Sequence, residues 1–161
     1  MSTLTLHLPD AAVTEACGAC IAPRLEGGMI VTLAGDLGAG KTTLVRGLLR
    51  ARGVEGLIKS PTYTLVEHYP VSSLYFYHFD FYRFMSPDDW DTAGFADYFR
   101  DDSVCIVEWP ERAGDRLPQA DLALSLAYDA SERGRDLVAR GNSASGDRCL
   151  IALADFAPTR N

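Results

Sequence analysis

Thr3-Leu4-Thr5-Leu6-His7-Leu8 alternates polar and apolar residues, the period of a strand with one buried face, and predicts an edge strand. Pro9-Asp10 then opens a helical pattern with Asp10 as N-cap, running to about Leu25. Pro23 disturbs its last turn and Gly27-Gly28 ends it. Met29 to Ala34 is a short apolar run rich in β-branched residues, as in a buried strand. Apolar residues return at helical spacing after Lys41, predicting a helix over 41–51 that closes near Gly53. Leu57 to Val66 is interrupted by Pro61 and reads as partly extended, and Leu74 to Tyr82 as an aromatic strand. Ser86-Pro87-Asp88-Asp89 opens a short helix, with serine as cap and proline at the first position, and a second helical turn carries Phe95 to Tyr98. Ser103 to Trp109 is an apolar strand that ends in a carboxylate. Leu122 to Tyr128 and Asp136 to Arg140 form a hairpin around Ser131-Glu132-Arg133-Gly134, and an apolar segment from Leu150 to Phe156 precedes a polar tail.

Between the second predicted strand and its helix stands Gly35-Asp36-Leu37-Gly38-Ala39-Gly40-Lys41-Thr42, a complete G-x-x-x-x-G-K-[ST] pattern, with Thr43 next. Strand, glycine loop and helix in that order are the context in which this pattern binds phosphate. Gly38 and Gly40 let backbone N–H groups curl around an anion with no Cβ in the way. The helix start adds unpaired amides and the positive end of its dipole. Lys41 reaches the β- and γ-phosphates, and the Thr42 hydroxyl is a ligand for Mg²⁺. Asp36, Leu37, Gly38, Ala39, Gly40, Lys41, Thr42 and Thr43 are therefore the candidate nucleotide-binding set. The β-α-β start followed by several β-rich segments predicts a single α/β domain over 1–161. Its expected form is a P-loop NTPase-type three-layer domain with a mixed central β-sheet.

Composition narrows the partners. The chain has 161 residues, enough for one domain with a sizeable core. A net charge of −7 argues against broad electrostatic binding to nucleic acid or anionic membrane. Lysine is scarce, with two among the fifteen basic residues, so Lys41 is not one of many. No run approaches the roughly 18 apolar residues of a spanning helix, and no basic-then-apolar leader is visible in residues 1–10. A cytoplasmic location without membrane attachment is the expectation. Cys17-Gly-Ala-Cys20 is formally C-x-x-C but stands alone inside an alanine-rich helical pattern, so packed, reduced thiols are expected there. Arg46, Arg50 and Arg52 form either a small basic patch or a solvated helix face.

Nucleotide chemistry with Mg²⁺ needs a carboxylate at a strand end beside the phosphate loop. Glu108 closes one apolar strand and Asp80 the aromatic one, making both candidate metal-binding and catalytic groups alongside Lys41. The ordinary alternatives are a solvent-facing strand end for Glu108 and a helix cap or an ion pair to Arg83 for Asp80. Thr62 stands in Ser60-Pro61-Thr62-Tyr63-Thr64, either a mobile loop within reach of the γ-phosphate or an ordinary turn. Trp109 follows Glu108 as a contact surface or as rim packing. The guanine-reading N-K-x-D pattern does not occur, which favours adenine as the base.

Four blocks occur in order over residues 35–110: Gly35 to Thr43, Lys59-Ser-Pro-Thr-Tyr-Thr-Leu65, Tyr77-His-Phe-Asp-Phe-Tyr-Arg83 and Val107-Glu-Trp-Pro110. In these blocks the chain resembles the TsaE family, small bacterial ATPases of tRNA threonylcarbamoyladenosine biosynthesis. The Ser-Pro-Thr-Tyr-Thr and Glu-Trp-Pro blocks make the resemblance specific. It implies an ATPase, slow alone and stimulated by its partners TsaD and TsaB, that supports modification of adenosine 37 in tRNA. Contact with tRNA is implied only through that complex. The resemblance further implies that Lys41 and the 38–43 backbone hold phosphates, and that Thr42 and Glu108 hold Mg²⁺. Asp80 supports the metal or the attacking water, Thr62 belongs to a loop that responds to nucleotide, and Trp109 sits beside the site. Asp10-Ala11 and Gly134-Arg135 are implied to approach the adenine.

Two other classes fit part of this pattern. A small-molecule or nucleoside kinase would use Asp80 and Arg83 near an acceptor hydroxyl, but no arginine-rich lid segment is present. A nucleotide-binding module with incidental hydrolysis would share the loop, and only the behaviour of Glu108 variants separates it.

Overall fold

A computed structural model describes residues 2–156; the polar tail expected after Phe156 lies outside the described residues. Strand β1 (Ser2–Leu8) leads to α1 (Ala11–Ile21), which Asp10 caps by accepting from the Val13 amide at 2.9 Å. Pro23 converts the expected last turns into a 3-10 turn over Ala22–Arg24. β2 (Ile30–Ala34) runs into the glycine loop and α2 (Lys41–Ala51). β3 (Val66–Val71) and β4 (Leu74–Asp80) form a hairpin, followed by α3 (Asp88–Ala93) and a 3-10 turn over Phe95–Tyr98. β5 (Ser103–Glu108), a 3-10 segment over Pro110–Arg116, β6 (Leu122–Tyr128), β7 (Arg135–Gly141) and α4 (Ala144–Phe156) complete the chain.

The seven strands make one sheet in the order β1-β7-β6-β2-β5-β4-β3. The inner four, β6, β2, β5 and β4, are parallel, and β1, β7 and β3 join antiparallel. The sheet is mixed, as expected, and β1 does lie at its edge.

Alternation along the strands builds two cores. Val104 and Ile106 of β5, with Phe76 of β4, face Leu44, Leu48 and Leu49 of α2 and Cys17 and Ile21 of α1. Cys105 and Val107, with Tyr77 and Phe79, face the other way into an aromatic cluster with Phe81, Phe84, Trp90 and Phe95. Burying each such large apolar side chain contributes about 1.5–3 kcal/mol. These two cores give the helix, sheet and helix layers. No helix among the described residues is long and apolar enough to cross a membrane.

Helices α1 and α2 cross closely at two glycines. A Cβ on Gly18 would overlap the Leu44 carbonyl, and one on Gly47 the Glu15 carbonyl. This contact brings the start of α1 against the phosphate loop.

Three elements differ from the expectation. β3 begins where the partly extended segment was expected to end, and it contains Pro70, which the sheet accommodates because β3 is an edge strand. The last apolar segment is the second half of a helix whose start, at Ala144, hides behind Gly146. The Ser143 hydroxyl accepts from the Gly146 amide, and a Cβ at 146 would overlap the Asp121 carbonyl. Likewise α3 begins one residue after Pro87, with the Ser86 hydroxyl accepting from the Asp88 amide at 3.2 Å. All four cysteines are free thiols.

Candidate functional site

The parallel strands place three pieces of chemistry at one end of the sheet. The glycine loop follows β2, Asp80 ends β4 and Glu108 ends β5, with Asp80 and Glu108 directly paired in register. Ligands of open α/β sheets bind at these carboxyl ends.

Gly38 and Gly40 have φ of 77° and 100°, in the left-handed region that glycine enters without strain. A Cβ on Gly38 would sit 2.7 Å from the Tyr128 hydroxyl, so a side chain there would displace that tyrosine as well as strain the backbone. The β6–β7 hairpin holds the loop from outside. Tyr128 donates its hydroxyl to the Leu37 carbonyl at 3.2 Å. Arg135 donates Nε to Ala39 O and Nη2 to Gly38 O, each at 3.0 Å, while stacking 4.1 Å over the Tyr128 ring. With those carbonyls engaged, the unpaired amides of the first turn of α2 remain for an anion.

Lys41 is 4% exposed and donates Nζ to the carbonyls of Gly35 (2.5 Å) and Asp36 (2.8 Å), 4.5 Å from the centre of the Trp109 ring. Burial lowers its ammonium below the ordinary lysine value, against the opposing pull of Glu108, Asp80, Glu111 and Asp36. Trp109 takes the left-handed conformation (φ 58°), a strained choice for a non-glycine residue that turns the chain sharply after Glu108.

Glu108 is 2% exposed, which rules out the solvent-facing alternative. Its carboxylate accepts from the Thr42 hydroxyl at 3.2–3.3 Å and lies 2.5 Å from Nε2 of His78. Asp80 accepts from Ser60 (2.7 Å), Thr62 (3.3 Å) and the Tyr82 amide (2.8 Å). Arg83 stacks instead over Tyr63, at 4.1 Å. Thr62 is thus tied to a site carboxylate through its own hydroxyl.

Two clefts meet at the loop. One, about 190 Å³, is lined by residues 37–43 with Asp80, Glu108 and Trp109. The other, about 130 Å³, is lined by Asp10, Ala11, Thr14, Gly38, Gly40, Thr43, Arg133 and Arg135. Of the expected site residues, 37–43, Asp80, Glu108 and Trp109 line the first cleft and Ala11 the second, on the other side of the loop, while Thr62 lines neither and reaches the site through Asp80. Thr42, Glu108 and Asp80 are hard oxygen donors, which suits Mg²⁺, an ion that keeps several waters and needs few protein ligands. Among the described residues there is no group of three or more His, Cys, Asp or Glu placed to hold a metal ion.

Sequence reasoning passed over several residues. His78 is one of them, although period-two alternation puts Phe76, His78 and Asp80 on one face of β4. Ser60 stands in a block read for Thr62, and Tyr128 and Arg133 reach the loop and its cleft only through the fold. Arg50 and Arg52 turn to backbone carbonyls of Val54, Gly56 and Ala22, closing the end of α2 rather than forming a free basic patch.

Comparison with known proteins agrees with this geometry. The family model described as "Threonylcarbamoyl adenosine biosynthesis protein TsaE" matches residues 8–137. The tRNA threonylcarbamoyladenosine biosynthesis protein TsaE of Haemophilus influenzae is 42% identical over 147 residues, covering 88% of this chain and 93% of that protein. Its namesake in Bacillus subtilis is 37% identical over 113 residues, covering 70% of each. The crystal structure of Bacillus subtilis YdiB superposes with a TM-score of 0.81 at 25% identity, covering 98% of this chain and 97% of that one. With three of the four sequence blocks lining one cleft, the fourth bonded to it through Asp80, and relatives matching over most of its length, this chain belongs to the TsaE family.

Proposed function

We propose that this chain is a Mg²⁺-dependent P-loop ATPase acting in tRNA threonylcarbamoyladenosine biosynthesis, the process for which its family is named. The observation that carries the reading is the meeting of Lys41, Thr42, Asp80 and Glu108 around one cleft under a glycine loop. In this reading, ATP lays its phosphates along residues 36–43 and its base toward Ala11 and Arg135. Thr42 and Glu108 hold Mg²⁺, with Asp80 in support, and the bound ion neutralises charge on the β- and γ-phosphates. Lys41 leaves the Gly35 and Asp36 carbonyls for the phosphates. Asp80 supports the metal or orients the attacking water. Ser60 and Thr62 lean on Asp80, so the 60–65 segment feels any change at that carboxylate.

The partners in this proposal are TsaB and TsaD, with tRNA reached only through them, in the cytoplasm. The chain is slow alone because partner contacts complete the site. The test is ATP turnover at fixed Mg²⁺, alone and with the TsaB–TsaD pair, with Lys41→Ala as control. Partner stimulation that depends on Lys41 supports the reading. Phosphate passing to a nucleoside or another small acceptor would instead make the chain a kinase.

A further inference from the structure

Strands β4 and β5 run parallel with Asp80 opposite Glu108 and His78 opposite Ile106, one step deeper. His78 is completely buried, between the fully buried Phe76 and the site carboxylates. A polar ring taken out of water costs free energy unless it finds a partner. Here Nε2 lies 2.5 Å from Glu108 Oε2, while Nδ1 is buried without a partner among the described residues. A carboxylate only accepts, so the shared hydrogen rides on Nε2. Neighbouring positions facing the same layer, Val104 and Ile106, are aliphatic, and an aliphatic residue at 78 would leave no orphaned nitrogen. The one thing the imidazole supplies here is a bond to Glu108.

That bond has a directional consequence. Glu108 otherwise accepts only from the Thr42 hydroxyl, at 3.2 and 3.3 Å. Two long contacts from one hydroxyl leave the carboxylate free to turn about its last torsion, and the much shorter contact at Oε2 from below removes that freedom. We propose that His78 is a positioning residue for Glu108, fixing Oε2 and with it the plane of the carboxylate that the Thr42 hydroxyl meets at both oxygens beside the phosphate loop. This is how outer partners orient metal-binding side chains in general. The inference rests on reading Glu108 as the carboxylate that serves Mg²⁺ and nucleotide.

The experiment compares His78→Leu and His78→Gln with wild type in the full chain. Binding of a methylanthraniloyl-ADP probe is measured with Mg²⁺ and with EDTA, and ATP turnover is followed while Mg²⁺ is titrated. The leucine variant should keep wild-type probe affinity in EDTA and lose the gain that Mg²⁺ brings. Its half-maximal Mg²⁺ concentration should rise about 10- to 100-fold, with kcat falling and the KM for ATP unmoved. Glutamine, whose amide N–H can reach Glu108, should recover most of both. A leucine variant with wild-type Mg²⁺ dependence and kcat overturns the inference and leaves the ATPase reading standing. Wild type that binds no probe overturns both. Should His78→Leu fail to fold, the His78 Nε2–H resonance of ¹⁵N-histidine-labelled wild type decides. It should shift when Mg²⁺ joins the probe, and a resonance indifferent to Mg²⁺ overturns the inference.

Discussion

At rest the Lys41 ammonium leans on two carbonyls of its own loop and against the Trp109 ring. A nucleotide that draws Lys41 to its phosphates must change the surroundings of that indole, whereas Trp90 stays packed in the aromatic cluster. Tryptophan emission should therefore shift on adding ATP. The shift should vanish in Trp109→Phe and in Lys41→Ala, and persist in Trp90→Phe. Lys41→Ala should also lower ATP turnover about 100- to 1,000-fold, the cost of removing one preorganised donor, read by phosphate release. The loop was legible in the sequence because backbone approach to an anion demands glycine at fixed offsets. Glu108 was legible because an apolar run ending in acid is a strand reaching a surface. The His78–Glu108 bond and the Arg135 fork were not, since each depends on strand register between residues distant in sequence.

Among the elements, the α1–α2 crossing inverts a familiar rule. Alanine normally stabilises a helix interior by about 1 kcal/mol over glycine. At Gly47 the new methyl meets the Glu15 backbone, so Gly47→Ala should instead cost about 1–3 kcal/mol in urea unfolding. By pushing α1 outward it should also weaken nucleotide binding, because Asp10 and Ala11 line the second cleft. The same logic explains where element prediction failed. Gly146 looks like a helix breaker but marks close packing on Asp121, and Pro70 looks like a strand breaker but sits in an edge strand. α2 and β5 were read correctly because their local pattern and their burial agree.

For the whole molecule, the buried thiols set an alkaline limit. Burial pushes Cys17 and Cys105 up to about 12, and Cys20 and Cys149 up to about 11, from 9.0. Their folded values lie above the unfolded one, so the unfolded chain releases protons first as pH rises. Their contribution to stability is complete below pH 9.0 and is lost as pH climbs toward 11–12, which urea midpoints measured from pH 8 upward should show as a steady fall. The sheet carries a different consequence, one of timing. β1 is made first yet pairs only with β7, and the second cleft takes Asp10 and Ala11 from one end of the chain and Arg133 and Arg135 from far along it. A chain emerging from the ribosome thus holds Lys41 and both site carboxylates well before it holds Arg135, which braces the loop. If the chain binds nucleotide as proposed, the two clefts together are complete only once β7 is in place, so nucleotide would act as a late seal on synthesis rather than as a template for folding.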